Sequence, residues 1–183
     1  MKYPKIKTLF KRDEKFNVKI GELKMPVIDT IKSWQITEKI DGTNIRVMLS
    51  ETGEVNFRGR TDRATIPADL IKYLMKTFTP EKMKSLWKPD KEGKIEPYKI
   101  TLFGEGYGAG IQKAGRSYRK DKSFRLFDVL IDDKMWLDWE NTVDVANKLN
   151  IKTVPYLGIW SLKKIIKKVK RGILSKVALE ENK

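Results

Sequence analysis

A chain of 183 residues with no histidine and no cysteine excludes a histidine general base, a Ser-His-Asp triad and histidine-held zinc. Catalysis is left to carboxylates, lysines, arginines or a metal held by oxygen ligands. The formal net charge of +15 suits a phosphate-rich partner, nucleic acid or nucleotide, and equally a lysine-rich surface that keeps the protein in solution.

The length fits one domain, and residues 1–183 are expected to form a single one. No apolar run is long enough to span a bilayer, so no membrane partner is expected, and Met1-Lys2-Tyr3-Pro4-Lys5 lacks the apolar stretch of a secretory signal. Ser33 to Leu49 reads as two strands interrupted at Asp41-Gly42, with Ile45, Val47 and Leu49 alternating with Asn44, Arg46 and Met48. Val55 to Thr61 reads as a further strand, with Asn56, Arg58 and Arg60 on one face. Pro67 opens a helix whose apolar stripe is Leu70, Ile71, Leu74 and Met75, and Pro80 opens a second, short one. Tyr98 to Phe103 reads as a strand that ends in the glycine-rich run Gly104 to Gly110, and Ser123 to Ile131 as an apolar strand with Asp132-Asp133 as its turn. A helix carries Val143, Ala146 and Leu149, and a strand covers Val154 to Trp160. Ser161 caps a last helix with Leu162, Ile165, Ile166 and Val169 inward and lysines in solvent. Strands and helices mix without a βαβ rhythm, so the predicted class is α+β with largely antiparallel sheets. The run after Phe103 lacks the Gly-Lys-Ser/Thr ending of a phosphate loop.

The segment richest in chemistry is Glu38-Lys39-Ile40-Asp41-Gly42-Thr43-Asn44. A lysine and a carboxylate two apart share a face of an extended chain. The glycine allows close approach to a ligand, and the asparagine adds hydrogen-bonding groups. On local pattern alone, an ordinary charged hairpin explains the run as well.

The run resembles the Lys-x-Asp-Gly motif of the covalent nucleotidyltransferases, the DNA ligases, RNA ligases and mRNA capping enzymes, and its Asn44 is similar to the RNA ligase branch. Three further segments follow in the family's order. Phe57-Arg58-Gly59-Arg60-Thr61 resembles the segment whose arginine contacts the nucleotide, a role open to Arg58 or Arg60. Phe103-Gly104-Glu105 resembles the Phe-Gly-Glu motif, and Phe124-Arg125-Leu126-Phe127-Asp128 the motif with a Phe-Asp pair.

The resemblance implies an antiparallel-sheet adenylation domain in which Lys39 attacks the α-phosphate of ATP and becomes lysyl-AMP, with Mg²⁺ or Mn²⁺ present. Glu105 would bind the ribose, and Phe127 would stack on the purine with Asp128 supporting the site. Glu38, Asp41, Asn44, Arg58 and Arg60 complete the nucleotide contacts. A lysine attacks as the free amine, a form that a nearby cation such as the metal, Arg58 or Arg60 favours; Asp41 would orient it. The AMP would pass to an RNA 5′-phosphate, which a 3′-hydroxyl then attacks, at a nick or between ends. The resemblance also implies an intracellular or phage-encoded protein. The family's Glu-Gly-x-Val motif and the Lys-x-Lys strand after it are absent, and Glu180 and Glu181 lack that context, so an incomplete domain is expected. A DNA ligase, a GTP-using capping enzyme and a binding domain without turnover remain the alternatives.

Overall fold

Alternation dictates the central strand: Ile45, Val47 and Leu49 are fully buried on one side, while Asn44, Arg46 and Met48 point to the other. The computed structural model describes residues 1–181. In chain order the elements are strands β1 (Phe10–Arg12) and β2 (Val18–Leu23), a 3-10 turn over Pro26–Thr30, β3 (Trp34–Thr37), β4 (Thr43–Leu49), β5 (Val55–Gly59), helices α1 (Ala68–Thr77) and α2 (Pro80–Lys84), β6 (Ile100–Gly108), α3 (Gly115–Tyr118), β7 (Lys122–Ile131), β8 (Met135–Trp136), α4 (Trp139–Lys148), β9 (Lys152–Thr153), β10 (Tyr156–Trp160), α5 (Leu162–Arg171) and α6 (Lys176–Glu181).

These elements fall into two compact units, one holding Tyr3–Glu38 and Tyr156–Ser175, the other Met1–Lys2, Lys39–Pro155 and the residues from Lys176 on. The larger unit is built on a sheet of order β5-β4-β6-β7-β8, with β9 also on β7; every pairing is antiparallel except β7 with β9. One face of this sheet is the main core. Leu70 and Leu74 of α1, Met83 of α2 and Ala146 of α4 close over Val47, Leu102, Leu126 and Val129. Thr79 and Asp138 cap α2 and α4 by accepting from the Lys82 and Asn141 backbone N–H groups. The opposite face carries the polar row that the sequence singles out. The smaller unit holds two antiparallel pairs, β1 with β2 and β3 with β10, together with α5.

Several elements differ from expectation. The break between the two strands of 33–49 is longer than Asp41-Gly42: β3 ends at Thr37, β4 begins at Thr43, and β3 pairs with β10 instead. The strand after Tyr98 does not stop at Phe103 but runs through the glycines to Gly108. Neighbours on both sides supply its ladder, and the missing side chains leave room for packing: a Cβ on Gly104 would strike the Phe124 ring, and one on Gly106 would lie 2.5 Å from Leu70. Met75 is 60% exposed and lies outside the stripe assigned to it. Helix α5 buries no residue fully: Leu162, Ile165 and Ile166 are half-buried on the inward side, as expected, while Val169 is 62% exposed. It is also not the last helix, since α6 follows.

Candidate nucleotide-binding site

Ile40 sets the geometry of the Lys39 segment. It is buried in a second apolar cluster with Tyr107, Tyr118, Val154 and Val177, while its neighbours Lys39 and Asp41 stay exposed. The shared face expected of a strand is therefore kept, although residues 38–42 form no ladder. The Asp41 backbone N–H donates to the Tyr118 hydroxyl at 3.2 Å and anchors the turn.

The turn enters β4 beside β6. Thr43 pairs with Gly106, Asn44 with Glu105, and Glu105 in turn with Arg125 of β7. Gly42 packs so tightly that a Cβ there would meet the Gly106 carbonyl oxygen and lie 2.9 Å from Glu105 Cγ. Burial pushes the Glu105 carboxyl up to about 7; the Lys39 charge and the Gly42 amide oppose this, and Asp41 adds to it. Lys39, Asp41, Gly42 and Glu105 thus converge on one spot. Beside them the Asn44 side-chain oxygen is buried with no hydrogen-bond partner, an acceptor left open.

Phe127 is positioned by a β-bulge. Phe103 pairs with Asp128 and Gly104 with Leu126, which leaves Phe127 as the extra residue. Leu126 and Val129 both enter the main core, so Phe127 and Asp128 face the side of Glu105. Phe127 is half-buried against the Ile40 cluster. Arg58 lies opposite Arg46 in the β4–β5 pair and is exposed, as is Arg60, which falls one residue beyond the end of β5. Glu38 belongs to the smaller unit, where its carboxylate accepts from the Ser175 hydroxyl.

Two buried arginines escaped the sequence reading. Arg46 is 3% exposed and donates to the Gly59 carbonyl at 2.9 Å, to the Met1 carbonyl at 3.0 Å and to Asp62 at 2.7 Å, tying down the loop that carries Arg60. Arg125 binds Glu181 at 2.7 Å, Glu180 at 2.8 Å and the Tyr107 hydroxyl at 3.1 Å. Alternation with Asn44 and with Phe127 puts both on the polar face, which was the available signal.

A sequence profile of RNA ligases matches residues 32–183. The chain belongs to the RNA ligase family. A search of curated proteins returned no match. Among solved structures, it is similar to Naegleria gruberi RNA ligase. A lysine mutant of that enzyme with ATP and Mn superimposes at TM-score 0.59 and 23% identity, over 75% of this chain and 40% of that one. The enzyme with PPi gives 0.60 and 21%, over 87% and 50%. An arginine mutant with ATP and Mn gives the same score and identity, over 87% and 45%. This chain therefore spans half or less of those proteins' length. At such identities the likeness shows the fold, and it is the antiparallel-sheet α+β nucleotidyltransferase type expected of an RNA ligase. Among the described residues no helix is long and apolar enough to cross a membrane. No cluster of three or more Asp or Glu side chains among them is arranged to hold a metal.

The Glu105 environment makes a prediction with a definite sign. Its carboxyl is raised from 4.5 to about 7, so the native state holds more protons than the unfolded one between those values. Stability is then lost as pH rises through that window, by at most roughly 3 kcal/mol. Glu105→Gln is expected to melt higher than the parent at pH 8 and level with it near pH 4.5. Thermal melts across the range check this, and equal melts at pH 8 would remove the buried-carboxyl account.

Proposed function

We propose that this chain is the adenylylating part of an ATP-dependent RNA ligase, with residues 1–183 forming its nucleotidyltransferase domain or most of it. The observation that carries the reading is the convergence of Lys39, Asp41, Gly42 and Glu105 beside the unpartnered Asn44 oxygen. In this reading the uncharged Lys39 Nζ attacks the α-phosphorus of ATP. A P–N bond forms, the bond to the β-phosphate bridging oxygen breaks, pyrophosphate leaves and the amine gives up a proton. An oxygen of an RNA 5′-phosphate then displaces Lys39, and a 3′-hydroxyl displaces AMP to seal the strand.

Each residue has a part suited to its place. Asn44 offers a buried acceptor, and Glu105 a carboxylate for the ribose hydroxyls. Phe127, turned out of the ladder by the bulge, presents a ring to the purine beside Asp128. Arg58 or Arg60 meets nucleotide phosphate, and Asp41 orients Lys39; Glu38 precedes the nucleophile in the chain. Mg²⁺ or Mn²⁺ would neutralise charge on the triphosphate and orient the pyrophosphate leaving group.

Intact-mass measurement after incubation with ATP and a divalent metal tests the reading: a gain of one AMP is expected, and none with GTP. Loss of the gain after removal of the metal is also expected. Sealing assays on nicked RNA and nicked DNA test the substrate. A GTP-dependent gain would favour a capping enzyme, and sealing of DNA alone a DNA ligase.

Gly42→Ala should slow adenylylation on the order of a hundredfold, because the added methyl group must push Glu105 or the β6 backbone away from Lys39. Single-turnover rates measure this; an unchanged rate would mean that the tight Gly42 contact has no part in the reaction.

A further inference from the structure

Charge is distributed unevenly between the two units. The smaller one, 56 residues, carries 14 Lys and Arg against 5 Asp and Glu, a net +9; the remaining 127 residues carry 25 against 19, a net +6. Within the smaller unit the excess is sharpest on α5. Six of its ten residues are cationic, Lys163, Lys164, Lys167, Lys168, Lys170 and Arg171, and none is acidic.

Folding alone does not account for this helix. Lys163 and Lys164 sit in its first turn, against the positive end of the helix dipole. Lys163 with Lys167, Lys164 with Lys168 and Lys167 with Arg171 are like-charge pairs one turn apart, which destabilise a helix. Among the described residues none of the six has a carboxylate within ion-pairing distance, and Lys11 with Glu22 is the ion pair that this unit does show. Lys164 instead lies 5.3 Å from the centre of the Trp160 ring. Its apolar side is only half-buried, at Leu162, Ile165 and Ile166, and that packing accounts for the apolar face but not for the cationic one. Lys168, Lys170 and Arg171 lie in the last turn, where the dipole favours cations, but Lys163, Lys164 and Lys167 have no such support. Charge kept there against local helix energetics marks a surface made for a polyanion.

We infer that the cationic face of α5, with Lys163, Lys164, Lys167 and Lys168 at its centre, is a docking surface for the phosphate backbone of RNA. The identity of the polyanion rests on the RNA ligase reading; the existence of the surface rests on the charge pattern. Cationic amphipathic helices also lie on anionic membranes. RNA is favoured because Leu162, Ile165 and Ile166 are already half-buried and so poorly placed to enter an acyl layer. The cationic excess of this unit is also not confined to the helix, since Lys5, Lys7, Lys11, Arg12, Lys15 and Lys19 belong to it as well. Contacts of this kind are sequence-independent and release counterions.

The test is a titration of a labelled, 5′-phosphorylated oligoribonucleotide with the full chain at several salt concentrations. It is repeated with all four central lysines replaced by Gln, and with all four replaced by Arg. Each phosphate contact on a single strand contributes about −0.7 to the slope of log K against log salt, so the Gln variant should lose up to about 3 from that slope. Its affinity at about 50 mM salt should fall more than tenfold, while the Arg variant binds as the parent does. Equal affinity and slope for parent and Gln variant would overturn the inference, and so would loss of binding in the Arg variant. Lysine-dependent binding to phosphatidylserine vesicles with RNA binding unaffected would overturn it in favour of a membrane surface. The AMP mass gain, followed on the same preparations, should be equal in all three. Its absence in the parent would count against the proposed function while leaving the RNA titration to stand or fall separately.

Discussion

Lys39→Ala is expected to abolish the AMP adduct altogether, with the protein still folded and melting close to the parent. The side chain is exposed and contributes nothing to the core, so its removal should cost little stability. Lys39 is the amine whose charge reaches the Glu105 carboxyl, where Asp41 and Gly42 also meet it. Removing the cation beside the buried Glu105 carboxylate should raise the resistance of that group to ionisation further. The variant is thus expected to be slightly less stable at pH 8 than at pH 6, more so than the parent. Peptide mapping of the acid-labile adduct on the parent gives the positive arm. An adduct found on any other of the many lysines would falsify the assignment of the nucleophile.

Arg125→Met is expected to destabilise the larger unit by about 3–5 kcal/mol, the usual cost of breaking a buried ion pair from one side. For a chain of this length that is a fall in Tm of roughly 6–20 °C. Arg125 is 2% exposed, and its guanidinium joins β7 to α6 through Glu180 and Glu181, to β6 through Tyr107, and to the Thr153 carbonyl at 3.3 Å. Burial pushes the Glu181 carboxyl up, but the hydrogen bonds from Arg125 and Tyr107 and the charges of Arg119 and Lys152 outweigh it and hold it below the usual carboxylate range. The stabilisation from this cluster is therefore full above about 4.5 and is lost as pH falls through the lower folded-state value. Hydrogen exchange over Lys176–Glu181 distinguishes release of α6 alone from global unfolding. Wild-type protection in that helix together with an unchanged Tm would show that Arg119 and Lys152 suffice for Glu181.

Glu181 illustrates why motif reading needs the fold. By sequence, Glu180 and Glu181 stand without the glycine and valine of the family's metal-binding motif, and no role is assigned to them. In the structure Glu181 accepts from Tyr107 at 2.9 Å, from Arg119 at 2.8 Å and from Arg125, a structural clamp made by residues 56 to 74 positions away. Such partners have no local signature, because an arginine in a strand looks the same whether its face is wet or covered.

What the residues dictate locally was legible from the chain alone. Period-two alternation placed Asn44 and Arg46 opposite Ile45 and Val47, and a buried Ile40 leaves Lys39 and Asp41 on one face even without a strand. Capping chemistry placed Ser161 at the start of α5, where its hydroxyl accepts from the Lys164 backbone N–H at 3.4 Å. Four motifs in order pointed to the RNA ligase family. Long-range pairing set everything else. The glycines after Phe103 read as the end of the strand because glycine is a poor strand former, yet β4 and β7 on either side hold them in the ladder. The bulge at Phe127 exists only relative to β6, so no count along one strand reveals it. Helix α5 looked like a packed helix because its period is correct. Periodicity reports that a helix has two faces, but burial depends on whether another element arrives to cover the apolar one, and on α5 no residue is fully covered.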